Sequence, residues 1–209
     1  MSFITSHPGE ILRLTLEHVL LSGTSIVLAL IAAVPLGIWI HGRAGRSNAV
    51  MAAASVLYTI PSLALLAMLV PLLGLGTTPT IVALVVYAQL MLVRAVTAGL
   101  DSVPADIRDA ALGMGIDRWT ILRTVDLPLA LPVFLAGMRV AVVTVLGIAT
   151  VGAVIDAGGL GELILQGIQR NQAERVVAGA LVVTLLALAA DFGLARVERL
   201  ARPWLRTAG

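Results

Sequence analysis

The side chains able to do chemistry in this 209-residue chain are few, and their types exclude more than they permit. All 14 basic residues are arginine. A P-loop needs a lysine to reach the nucleotide phosphates, so this chain does not bind ATP by that route. There is no cysteine, which excludes disulfides and thiolate nucleophiles. The three histidines, His7, His18 and His41, lie towards the N-terminal end without partners at metal-ligand spacing. They are expected to be solvated or hydrogen-bonded groups outside the span interiors, and no metal site is expected. Without a histidine at depth, an intramembrane enzyme has neither a Ser-His pair nor paired carboxylates to work with. We therefore expect no covalent chemistry and no cofactor bound by this chain.

Two groups of residues remain. Arg139 lies inside an apolar stretch, and Asp191, in another such stretch, is its expected counter-charge. Ionisable residues within spans are functional candidates by default. Here a structural ion pair is preferred over a cargo site. The second group is a continuous string from Asp106 to Thr120: Asp-Ile-Arg-Asp-Ala-Ala-Leu-Gly-Met-Gly-Ile-Asp-Arg-Trp-Thr. Pro104 suits the first turn of a helix. Ala110, Ala111 and Met114 would share one face. Gly113 and Gly115 end that helix, Asp117 caps the next one, and Leu127-Pro128 stops it. The product is a small amphipathic knob whose Ala-Ala surface admits close approach by another protein.

The elements that hold these groups are set by hydrophobicity. Of the chain, 59% is hydrophobic and only 12% charged. Soluble domains carry about 25% charged residues, so the excess apolar surface needs a bilayer. A helix needs about 20 apolar residues to cross the hydrocarbon core. Five stretches qualify: about 19–40, 49–73, 80–100, 129–155 and 176–195. The expected fold is all-α, a polytopic bundle of about five spans. Residues 1–18 read as an N-terminal interfacial segment, with Ile11, Leu12, Leu14 and Leu16 among Glu10, Arg13 and Glu17. Residues 19–195 form the transmembrane domain, with a cytoplasmic loop at 101–127. Residues 196–209 form a cytoplasmic tail. The N-terminal residues lack the basic region of a signal peptide, so the first span is expected to remain. Nine loop and tail arginines, Arg202 and Arg206 among them, fall on one side and three on the other. That bias places the N-terminus outside and the C-terminus in the cytoplasm. Pro61 lies in the middle of the second span and is expected to kink it, as a hinge or as a static bend. Gly137-x-x-x-Ala141 offers a small-residue face for helix contact, within the chain or at a dimer interface. Gly158-Gly159-Leu160-Gly161 is expected to make a turn followed by a half-buried helix.

Asp109-Ala110-Ala111, three residues, Gly115 and then Leu127-Pro128 resemble the EAA loop of ATP-binding-cassette (ABC) importer permeases, with Asp109 where the family has Glu. The likeness covers the chain from about Leu16 onward. It implies a type I ABC importer permease (MetI-like) architecture in a bacterial inner membrane. It also implies that Asp109, Ala110, Ala111, Gly115, Leu127 and Pro128 form the coupling site for an ATPase subunit. Implied partners are an ABC ATPase dimer that holds ATP and Mg, a second permease chain, identical or homologous, and a periplasmic or lipid-anchored substrate-binding protein. Membrane lipid surrounds the bundle, and no nucleic acid is expected. The stretch from Tyr58 to Leu66 and that from Leu84 to Leu90 resemble osmoprotectant permeases of the glycine betaine, carnitine and choline group. Met91 to Ala95 depart from that group, although Arg94 remains. Tyr58, Thr59, Pro61, Ser62 and Tyr87 are candidates for the translocation path, and interhelical packing accounts for the same residue types. The rival readings are a permease of this architecture for another solute such as methionine, and a membrane protein without transport activity.

Overall fold

The computed structural model describes residues 6–201, and every regular element among them is helical. In chain order these are α1 Pro8–Ile40, α2 Ala44–Thr59, α3 Ser62–Leu73, α4 Thr77–Asp101, α5 Ala105–Gly113, α6 Arg118–Ile121, α7 Leu127–Ala149, α8 Leu160–Gln169 and α9 Ala173–Leu200. A π-helical turn, Leu122–Asp126, joins α6 to α7, and a 3₁₀ segment, Thr150–Ile155, follows α7. Four continuous helical stretches are long and apolar enough to cross a membrane, and a bent pair supplies a fifth.

α1 corrects the expectation for the N-terminal region. Residues 8–18 are not a separate interfacial helix but the first turns of one 33-residue helix. The reason is a continuous buried stripe. Leu14, His18, Leu21, Ser25, Ala29 and Ala33 recur at three- and four-residue steps on its inward face. Residues 1–5 of that segment lie outside the described residues. His18 is hydrogen-bonded as expected but lies inside the bundle and not at its edge. It is fully buried, and its Nε2–H donates to the Leu146 carbonyl oxygen at 3.0 Å.

The second span breaks where a kink was expected. α2 and α3 meet at 92° across Ile60-Pro61. They hold 16 and 12 residues, about 24 and 18 Å of helix, and neither alone crosses a hydrocarbon core of about 30 Å. Pro61 has no N–H to donate and pushes the residue before it out of the helical region. Ile60 accordingly sits at φ −66°, ψ 126°.

α4 is the centre of the bundle, with α1 and α7 packed along it. Small residues bring the backbones together. A Cβ on Gly37 would meet the Val96 side chain at 2.6 Å, and one on Gly99 would meet the Ala130 carbonyl oxygen at 2.9 Å. A Cβ on Gly137 would lie 2.5 Å from that of Ala95. Gly137 and Ala141 are thus used inside the chain, against α4. Ala33, Ala88, Leu92, Val93 and Ala141 fill the middle of this three-helix core.

Two further boundaries differ from the sequence expectation. Leu127-Pro128 does not stop a helix; it starts α7, and helix runs without interruption from Arg118 to Ile155. The wider π turn just before Pro128 makes room for a ring that would strike a carbonyl in a regular α-helix. α9 continues to Leu200, so Arg196 and Arg199 belong to it rather than to a tail. Arg202 and Arg206 lie outside the described residues.

Candidate functional site

The loop between α4 and α7 is built as a chain of short, individually capped pieces. α5 ends at Gly113, and Gly115 takes φ +78°. That left-handed conformation strains any residue with a Cβ, and around Gly115 there is open space. The turn is closed by the amide of Gly115 donating to the Leu112 carbonyl at 2.9 Å and that of Ile116 to the Ala111 carbonyl at 3.2 Å. Asp117 then caps α6. Its Oδ1 accepts from the amides of Trp119 at 3.0 Å and Thr120 at 3.1 Å. Hydrogen bonds from the Thr120 hydroxyl and these amides hold its carboxyl below the usual aspartate range.

Asp109 and Ala110 face solvent, as does Met114 at 73% exposure. Ala111 does not share their face; it is 4% exposed and points into the protein. A helix turns 100° per residue, so neighbouring alanines part company while Ala110 and Met114, four apart, stay together. Trp119 is 63% exposed and lies 5.6 Å from the Arg123 guanidinium, a cation–π contact. It extends the apolar, reachable surface beyond Ala110 and Met114. An exposed tryptophan beside a helix cap was the available signal for it.

At the break in the second span, the structure gathers the path candidates. Tyr87 on α4 is 3% exposed, and its hydroxyl donates to the Ile60 carbonyl oxygen, which the break leaves without a helical donor. Tyr58 meets the Tyr87 ring edge-on, with centroids 5.9 Å apart. Thr59 turns its hydroxyl to the Val56 carbonyl at 2.7 Å. Ser62 and Tyr87 share the wall of a cavity of about 10 Å³ with Leu66, Thr80, Ile148 and Val151. Pro61 sits exposed at the corner.

Arg139 on α7 and Asp191 on α9 form a two-pronged pair, with Nε and Nη2 each donating at 2.9 Å. The sequence reading missed the third member, Glu198, which accepts from Arg139 Nη1 at 3.0 Å. Glu198 follows Asp191 by seven residues, two helical turns on the same face, and that spacing was the signal. Beside the pair runs an open groove of about 740 Å³ between α7 and α9, lined by Val140, Val143, Thr144, Gly147, Thr184 and Leu188.

The arrangement offers an exposed pair of short helices, a bent span and a helix pair pinned by charge. Relatives include the glycine betaine/carnitine/choline transport system permease protein OpuCB of Bacillus subtilis, 38% identical over 97% of this chain and 94% of that one. Another is the osmoprotectant import permease protein OsmW of Salmonella typhimurium, 38% identical over 96% of each. In three dimensions the chain resembles the MetNI methionine ABC transporter in inward-facing form, with a TM-score of 0.85 at 23% identity over 94% of this chain and 98% of that one. That identity carries the fold alone. Residues 25–203 match the model of the binding-protein-dependent transport system inner membrane components, and the chain belongs to that family.

Proposed function

We propose that this chain is the membrane-spanning permease subunit of an ABC importer that takes up osmoprotectants such as glycine betaine, choline or carnitine. The observation that carries the reading is near full-length identity of 34–38% to permeases named for those solutes. The fold match to a methionine transporter, at 23% identity, carries no weight for cargo.

The chain works with partners. An ATPase pair binds ATP and Mg and grips Asp109, Ala110 and Gly115 on the cytoplasmic face, while Ala111 packs beneath them against the permease itself. Leu127 and Pro128 pass the motion into α7. A substrate-binding protein, periplasmic or lipid-anchored, delivers cargo on the opposite face. A second permease chain, identical or homologous, completes the path. In this orientation the N-terminus is outside and the C-terminus is cytoplasmic. This chain's contribution is mechanical: the ATPase favours one arrangement of the coupling loop over another, and that differential contact shifts the spans between outward and inward openings. Tyr58, Thr59, Pro61, Ser62 and Tyr87 stand at the one bend in the span set, where a change in helix angle would open or close a path.

The test is uptake of labelled choline, glycine betaine, carnitine and methionine by cells lacking their own systems and expressing this chain with its binding protein and ATPase. Saturable uptake of a quaternary amine is the expected result. Uptake of methionine alone overturns the cargo while leaving the architecture in place. A chain that does not co-purify with an ATPase returns the reading to a membrane protein without transport activity.

A further inference from the structure

The coupling helix is thinly attached to the protein it must move. Ala111 is the one residue of α5 that is buried, so apolar packing contributes little to holding it. Arg108, one turn before it, reaches two other elements. Its Nε donates to Asp126 Oδ1 at 2.6 Å, and its Nη2 donates to the Leu100 carbonyl oxygen at 2.6 Å. Leu100 lies in the last turn of α4, where carbonyls run out of helical donors. Asp126 closes the π turn directly before Leu127-Pro128 and is 8% exposed. One guanidinium therefore joins α5 to the cytoplasmic ends of both α4 and α7.

Those two helices are themselves locked together, since Gly99 sits against the Ala130 backbone and Gly137 against Ala95. We infer that Arg108 is a positioning residue for energy coupling, a strut that makes α5 move as one body with the α4–α7 core. The inference rests on the reading of α5 as the element an ATPase subunit grips. Arginine suits the task because its planar fork serves two acceptors at fixed angles. A lysine keeps the charge but is a single point and cannot brace both. Asp126 is the buried end of the strut, and Leu100 anchors the other prong. Motion entering at Ala110 and Met114 then reaches α4, and with it Tyr87 and the Ile60 carbonyl at the break in the second span.

Spatial continuity alone does not establish transmission, so the test separates coupling from assembly. The complete complex of permease, ATPase and binding protein is reconstituted in proteoliposomes as wild type, Arg108→Lys, Asp126→Asn and the double variant. ATP hydrolysis and uptake of the transported osmoprotectant are measured on the same vesicles, and co-purification of the ATPase is measured beforehand. The expected result is normal co-purification, sustained hydrolysis and a fall of about fivefold or more in solute moved per ATP. The double variant should be no worse than either single one, because all three break the same strut. An unchanged ratio of uptake to hydrolysis overturns the inference. Loss of ATPase binding also overturns it, because the pair would then shape the docking surface and not transmit motion. Failure of the wild type to bind an ATPase or to transport would instead bring down the family-based reading of α5, a result visible before any variant is made.

Discussion

Among the described residues, two short helices outside the main spans, α5 and α8, each lie next to a glycine turn, and they are embedded in opposite ways. Gly115 after α5 takes φ +78° with nothing near it, and the surface around it is exposed. Gly158 and Gly159 before α8 take φ +77° and +74° in a tight setting. The Glu17 carboxylate accepts from the Gly159 amide at 3.1 Å, and the His18 ring lies against Gly159. Leu160 and Leu163 are fully buried, and a Cβ on Gly161 would stand 2.1 Å from the Thr150 carbonyl oxygen. In one turn glycine supplies conformation only. In the other it supplies conformation and space together. The first stands open to its surroundings and the second is held by its own chain.

Gly161→Val is the most severe way to probe that difference. The side chain would have to displace backbone, at a cost of about 3 kcal/mol or more, and the purified protein should lose yield and melt several degrees lower. A normal melting temperature would mean the turn before α8 is not held as described. Gly115→Trp comes next and acts on function. The left-handed backbone costs a residue with a Cβ about 1–2 kcal/mol, so the melting temperature should fall only modestly and membrane level stay near wild type, while uptake falls by about tenfold or more; normal uptake would remove this turn from the coupling site. Glu17→Ala is a milder probe of the held turn. It strips the Gly159 amide of its acceptor, and roughly 1 kcal/mol of stability should go with it, visible as faster hydrogen exchange at Gly159. Exchange no faster than wild type would show that the clasp is incidental.

Asp117→Ala should have the smallest effect, confined to fraying of α6 and read as faster exchange at the Trp119 and Thr120 amides. Its pH dependence has a defined sign. Hydrogen bonds to the folded carboxylate depress its pKa, so the cap is at full strength above the unfolded aspartate value of about 3.9. It is lost as pH falls through the lower folded value. Wild type and variant should therefore differ at neutral pH and converge in strong acid. A difference that persisted there would point to a contribution other than the cap.

The parts of this molecule legible in the sequence are those with local causes. Span count followed from hydrophobic length, Gly115 from its place after an amphipathic turn, and the Asp117 cap from its position before the next helix. Arg139 and Asp191 could be paired because few charges lie inside the spans. Contacts that depend on packing were not legible. Nothing near His18 announces a bond to Leu146, 128 residues away. Arg108 and Asp126 both lie in the loop at 101–127, yet their contact depends on how the π turn swings Asp126 inward. Pro61 signalled that a helix is interrupted. The 92° angle follows from Ile60 going extended and from Tyr87 receiving the carbonyl that is released, and Tyr87 sits 27 residues further on.

The π turn at Leu122–Asp126 also acts as a phase shift. A π turn houses one residue more than an α turn, and each residue of an α-helix advances the helix by about 100°. The extra residue therefore sets the azimuth of α6, with Trp119 and Arg123, relative to every side chain that α7 presents to α4 and α9. Removing one residue there would leave both ends chemically unchanged and rotate the α5–α6 loop by more than a quarter turn about the axis of α7. The direction in which this loop faces is thus fixed by a count of residues as much as by their identity.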